Sequence, residues 1–257
     1  MKPLPLIIAI SIGLAVGLAT TFELVTVPQA AIATGVAVVG WLVGYAAFAR
    51  IHARAFNAGS VEAMAMLSRG EYDQAIARWS RWSKGLTVPG VVIAATWQNI
   101  AWVTLRRGEL RKALELYAML EKQHLRGLKA NKLDSICALD RGLCLALLGE
   151  LEAARHAVAE AGMRSVRAHS SYAAGKAFTE AVIACRDGRA AVAAKMFDEH
   201  WSEYESSATP DVTRPLRIVR AFASQTKPSI TAAYPGELAF LAVAWPEMAA
   251  FLTTHSL

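Results

Sequence analysis

The side chains best equipped for chemistry in this chain are three cysteines, six histidines and a set of clustered basic residues. Cys137 and Cys144 stand seven apart, about two helical turns, and Cys185 stands alone. No C-x-x-C pair and no pair of histidines at ligand spacing accompanies them, so the pattern predicts reduced, buried thiols and not a zinc site. Glu121-x-x-His124 has the spacing of a carboxylate-bridged metal motif. Such sites draw ligands from four helices, and here one copy stands in a stretch that reads as a turn. No glycine-rich phosphate loop, G-x-S-x-G, H-E-x-x-H or dinucleotide fingerprint is present. No nucleophile, base and orienting acid stand in a recognisable relation. The expectation is a protein without catalytic, cofactor or metal residues and without a small-molecule substrate.

Arg106, Arg107, Arg111 and Lys112 cluster around one helical turn, and Lys122, Arg126, Lys129 and Lys132 follow. Nucleic-acid binding would use such a patch, but Glu109, Glu115, Glu121 and Asp134 interleave with it. An ordinary solvated face, or docking on an anionic membrane surface where each nearby basic residue contributes about 1 kcal/mol, is the preferred reading. Nucleic acid is not an expected partner.

The elements that carry these residues follow from composition. The chain has 257 residues, 54% hydrophobic and 19% charged, with net charge +6 and a mean hydropathy of +0.31. A soluble domain is less apolar and carries more charge, near 25%. The excess has an address. Pro3–Phe22 and Leu24–Ala49 are uncharged throughout, Lys2 and Glu23 being the sole charges before Arg50. About 20 apolar residues cross a bilayer core, so the sequence predicts a transmembrane hairpin in residues 1–54, with spans at 5–22 and 30–49 and a tight loop at Pro28. Lys2, Arg50 and Arg54 flank the spans while the loop has no basic residue. Both termini and the following domain are therefore expected in the cytoplasm, at a bacterial-type inner membrane. The competing reading makes the first segment a cleaved signal peptide, with Gly17-Leu18-Ala19 near its end. Gly13-x-x-x-Gly17 and Gly40-x-x-x-Gly44 are small-residue motifs that let helices approach closely. In an antiparallel hairpin Gly13 would face Gly40 and Gly17 would face Gly35; dimerisation is the alternative use.

The remainder is repetitive. Gly70, Gly108, Gly149 and Gly188 recur with Ala75, Ala113, Ala154 and Ala193 five residues later. Trp79, Tyr117, Val158 and Phe197 come nine residues after each glycine, and Ala63, Ala101, Gly142 and Ala181 seven before. A glycine ends one helix and starts the next, small residues sit where the two helices press together, and the bulky residue shares the alanine's face one turn on. Units that cannot bury their apolar faces alone stack on one another. This pattern resembles the tetratricopeptide (TPR) repeat, most closely at Trp97, Ile100, Ala101, Gly108, Leu110, Ala113 and Tyr117. The spacing exceeds the family's usual period of about 34, with turns at 84–90 and 123–132 expected to absorb the difference.

The expected fold is therefore all-α: a membrane hairpin, a TPR-like α-solenoid of about four helix pairs over residues 55–205, and capping helices over 206–257. Residues 206–215 read as a linker, 216–224 as a short helix, and 237–253 as a helix interrupted at Pro246. The resemblance implies a concave face lined by the first helix of each pair. By register that face carries Gln98, Trp102, Arg106, Leu139, Leu143, Phe178, Val182 and Arg186, with Asn57, Ser60 and Met64 in the first unit. Such a groove suits a helix or extended peptide of some acidic character. The expected function is a membrane-anchored adaptor for a protein or peptide partner. The alternative is a subunit of a larger membrane complex, whose hairpin contacts other transmembrane helices.

Overall fold

The computed structural model describes residues 26–84, 88–164 and 169–257, and among these there is helix but no strand. Ten α-helices run α1 (Val27–Leu67), α2 (Tyr72–Ser80), α3 (Gly90–Arg106), α4 (Leu110–Ala130), α5 (Asp134–Leu148), α6 (Leu151–Arg164), α7 (Tyr172–Arg186), α8 (Ala190–Ser207), α9 (Pro210–Ala223) and α10 (Pro246–Thr254), with a 3₁₀ turn at Ala239–Leu241. The described residues divide into two compact units, one of residues 26–58, 84 and 88–89, the other of residues 59–83, 90–164 and 169–257.

In the first unit, α1 carries the apolar segment. Pro28 sits in its first turn, where a missing N–H costs nothing, and no further proline interrupts it. The helix does not stop at Ala49, nor at the domain limit expected at residue 54. It continues to Leu67, because Ala53 to Met66 contains good helix formers and no breaker beyond Gly59. Its 41 residues span about 60 Å, roughly twice a bilayer core. It is the one helix among the described residues long and apolar enough to cross a membrane, a property that spans and signal sequences share. Ile32, Val36, Val39 and Val43 are all more than half exposed. Trp41 stacks on Tyr45, and Phe48 packs against His52, one turn apart in each case. The first expected span, with Gly13 and Gly17, lies outside the described residues, and so does the hairpin pairing built on them. A Cβ added at Gly35, Gly40 or Gly44 would meet no described atom within 4 Å.

In the second unit, the repeat glycines all adopt the left-handed conformation, with φ of 77° at Gly70, 80° at Gly108, 86° at Gly149 and 72° at Gly188. Each closes its helix in the same way. The glycine N–H donates to the carbonyl three residues back, and the next N–H donates to the carbonyl five back, as in Gly149 to Ala146 and Glu150 to Leu145. This double closure satisfies carbonyls that the helix end leaves free. The small and bulky positions are buried at every repeat, from Ala63, Ala75 and Trp79 to Ala181, Ala193 and Phe197. At Gly142 a Cβ would lie 3.3 Å from the Ala157 methyl, so this backbone approach needs a small residue.

Helices α3 and α4, α5 and α6, and α7 and α8 pack as successive pairs, with α5 touching both α4 and α7. Three expectations are corrected here. The turn expected at 123–132 is helical to Ala130, leaving only Asn131–Leu133 as the connection. Gly127 permits this: a Cβ there would fall 2.7 Å from that of Ala94 and 2.8 Å from the Gly90 carbonyl. The linker expected at 206–215 shrinks, since α9 starts at Pro210 and contains Pro215. Proline fits a first helical position, where its φ is preset. The helix expected over 237–253 is two pieces, because Pro246 starts α10 instead of interrupting it.

Candidate functional site

Most of the residues expected to line a concave face come together and are buried or half-buried, whereas Asn57 and Met64 of the first unit stay exposed. Leu139, Leu143, Phe178 and Val182 are buried in one cluster with Leu216 and Val219 of α9 and with Phe240, Leu241, Trp245 and Met248. The chain's own C-terminal segment fills the groove. Burial of each such side chain contributes about 1.5–3 kcal/mol, so this segment is part of the core. The sequence reading expects capping helices over 206–257 but not their seat in this groove, because a groove residue and a core residue have the same apolar signature.

Three polar members of the set, Trp102, Arg106 and Arg186, receive partners from the same segment. Trp102 donates its indole N–H to Asp211 Oδ2 at 2.6 Å. Arg186 donates from Nη1 to the Ala244 carbonyl and lies over the Trp245 ring, 5.7 Å from its centroid. Arg106, only 2% exposed, donates from Nη2 to the Glu237 carbonyl at 3.3 Å, and its guanidinium lies 4.3 Å from the Phe240 ring centroid. Glu237 is itself 1% exposed. Its Oε1 accepts from Arg214 at 2.6 Å and its Oε2 from the Ala233 amide at 2.7 Å. Arg106 reaches that carboxylate only at 3.9 Å, and its Nε and Nη1 have no partner among the described residues. A buried pair of this kind is costly to break from either side. A cavity of about 310 Å³ adjoins it, walled by Met64, Leu67, Arg106, Asp211, Arg214, Tyr234 and Glu237. Tyr234 also meets Tyr72, hydroxyl to hydroxyl at 2.8 Å, and burial, with that contact, holds the Tyr72 hydroxyl far above its ordinary pKa.

Gln98 completes the set. Its amide donates to Asp140 Oδ2 at 3.2 Å. Asp140 has no mark in the sequence pattern, since one acid in an apolar helix carries no spacing signal. As a residue it keeps some open surface, yet its carboxyl is densely surrounded by protein, which pushes its pKa up to about 7. The hydrogen bond from Gln98 and the nearby Tyr117 hydroxyl work against that rise, while the Asp211 carboxylate adds to it.

Glu121 holds arginines. Both of its oxygens accept, from Arg141 and from Arg164, and these two arginines also bind Glu160. Burial alone would raise the Glu160 pKa, but the hydrogen bonds and charges of Arg141 and Arg164 outweigh it and hold the carboxyl below its ordinary range. The network ties α4, α5 and α6 together. Cys137, Cys144 and Cys185 are free and buried, and burial pushes the Cys185 thiol up to about 12. A protonated thiol is a poor nucleophile and a poor metal ligand.

A second groove remains open. It measures about 640 Å³ and runs along α6, α7 and α8, with Val158, Ile183, Val192 and Met196 among its apolar walls and Arg155, Lys176, Glu180 and Arg189 among its charged ones. Val192 is 55% exposed. The sequence signal for this surface is weak, because most of its residues, Val158 and Ala193 apart, lie off the repeat register. Comparison with protein-family profiles, with curated proteins and with solved structures returned no match to this chain.

Proposed function

We propose that this chain is a membrane-anchored adaptor of TPR-like helix pairs, which holds a protein partner at the cytoplasmic face of a bacterial-type inner membrane and acts by binding instead of catalysis. The observation that carries the reading is the succession of one exposed apolar helix and four identically closed helix turns. Stacked pairs of this kind present extended surfaces to other proteins. The basic residues Arg50 and Arg54 after the apolar segment support a cytoplasmic placement of the helix pairs. In this reading the first apolar segment is a second span, packed on the bare glycine face of α1. The partner surface is the apolar groove along α6 to α8, since Leu139, Leu143, Phe178 and Val182 of the expected concave face are covered from within.

One observation favours a second reading, a subunit of a larger membrane complex. Gly40 and Gly44 leave a face of α1 on which no described residue packs, and such faces admit other transmembrane helices. The two readings separate in one experiment. Full-length protein in mild detergent, carrying either Val192→Glu or the Gly40→Leu/Gly44→Leu pair, is used to capture partners after crosslinking in membranes. The adaptor reading expects partners to be lost with Val192→Glu and kept with the glycine pair. The opposite result assigns the chain to a membrane complex.

A further inference from the structure

The last turns of α1 and the C-terminal segment share the walls of the cavity of about 310 Å³ beside Arg106. Met64, Ala65 and Leu67 give it an apolar side. An apolar cavity of about 150 Å³ holds benzene, so this one has room for a ring with a substituent.

The polar side holds four charges, Arg106 and Arg214 against Asp211 and Glu237, and they sum to zero. Their hydrogen bonds are unevenly shared. Arg214 donates to Glu237 Oε1 from Nε and Nη2, at 2.6 Å each. The Ala233 amide serves Glu237 Oε2, and the Trp102 indole serves Asp211 Oδ2. Arg106, buried, has one bond of 3.3 Å to the Glu237 carbonyl, while its Nε and Nη1 have no partner among the described residues. The Phe240 and Trp102 ring centroids lie 4.3 and 6.0 Å from its guanidinium carbon. The rings answer the charge, but an N–H facing a ring is a second-order substitute for a hydrogen bond. Arg106 is short of an acceptor, in a set whose charges already balance.

We propose that this cavity is a binding site for a small, uncharged, mainly apolar molecule bearing a carbonyl oxygen, which accepts from Arg106. The apolar body lies against Met64, Ala65 and Leu67, and the flexible Met64 side chain adjusts to its shape. Buried donors left unmade are costly, so the carbonyl supplies the selectivity. A carboxylate fits worse, because it adds a third buried anion to two that are already matched. The site is separate from the groove along α6 to α8 and does not depend on a partner there.

The test follows the Met64 methyl resonance of methyl-labelled, full-length protein in detergent. The Met163 methyl, 75% exposed, reports non-specific partitioning. The probes are acetophenone, benzoate and ethylbenzene, which share a ring and differ in the acceptor. Acetophenone should shift Met64 saturably, with an affinity about tenfold or more above the other two, as a hydrogen bond to a charged group implies. Arg106→Met should bring acetophenone down to the level of ethylbenzene. Ala65→Phe, at an exposed position of the cavity wall, should remove the shift while the chain stays folded. If Arg106→Met does not fold, the three probes on the wild-type chain and on Ala65→Phe decide alone. Equal affinities for acetophenone and ethylbenzene overturn the proposal, and so does tighter binding of benzoate. A Met64 shift that is absent, shared by Met163, or kept in Ala65→Phe refutes it as well.

Discussion

At the scale of single residues, conformation and close approach decide which positions tolerate change. Gly188 and Gly108 both sit at positive φ, but a Cβ at Gly188 meets nothing within 4 Å, whereas one at Gly108 falls 2.6 Å from Val243 Cγ2. Gly188→Ala should therefore cost only the left-handed strain, about 1–2 kcal/mol. Gly108→Ala should cost that plus the displacement of Val243, and chemical denaturation of the two variants should rank them in that order. Equal losses would show that Val243 moves aside freely. Glu237 presents the electrostatic counterpart. Its carboxylate is buried and engaged by Arg214 and the Ala233 amide, with Arg106 close by. Glu237→Ala leaves two guanidinium groups short of a counter-charge, and a loss of about 3–5 kcal/mol is expected in an unfolding experiment. Arg69–Glu71, largely exposed, is the control: solvent screens a surface pair of that kind, so breaking it should leave the unfolding transition nearly unchanged.

At the scale of elements, the repeat positions should behave alike in kind and differ by size. Tyr117 and Phe197 are fully buried and occupy the same place in their pairs, while Val158 fills that place in the third unit. Phe197→Ala should destabilise by about 3–5 kcal/mol through lost burial and the cavity left behind. Val158→Ala removes far less volume and should cost correspondingly less, as read from thermal unfolding. How much of these elements the sequence displays depends on the range of the contacts concerned. The glycine turns are legible at once, because a left-handed helix closure is a local requirement that one residue type meets. The end of α4 is not, since Gln123 to Ala130 reads as a polar turn. It is helix because Gly127 lets α4 lie against the start of α3, and sequence spacing does not report that contact.

At the scale of the whole molecule, the apolar excess of the composition is divided between an exposed helix and a buried core. Ile32, Val36, Val39 and Val43 face outward on α1, whereas the apolar C-terminal segment is enclosed. The chain should therefore resist extraction from membranes by carbonate. Replacing Val36 and Val43 by lysine, at about 2.5–3.5 kcal/mol per charge near the middle of a span, should shift it to the supernatant. Replacing Phe240 by alanine should leave it in the membrane pellet while lowering its unfolding temperature. If the lysine variant stays in the pellet, the anchor is not the described part of α1.

What the amino-acid sequence determined by itself was local. It dictated helices throughout, the place of each glycine closure, the small and bulky positions that recur around it, and a segment apolar enough for a membrane. Each of these follows from a residue's own conformational limits or from its neighbours within a few turns. The tertiary structure alone decided the fate of the groove. Trp102 meets Asp211 and Arg106 meets Glu237 across more than a hundred residues, and the apolar lining is consumed by Phe240, Trp245 and Met248. It also decided the character of Asp140, an ordinary acid in the sequence whose proton affinity rises because protein displaces the water around it. Burial and charge are properties of surroundings, and surroundings exist only once the distant parts of the chain have met.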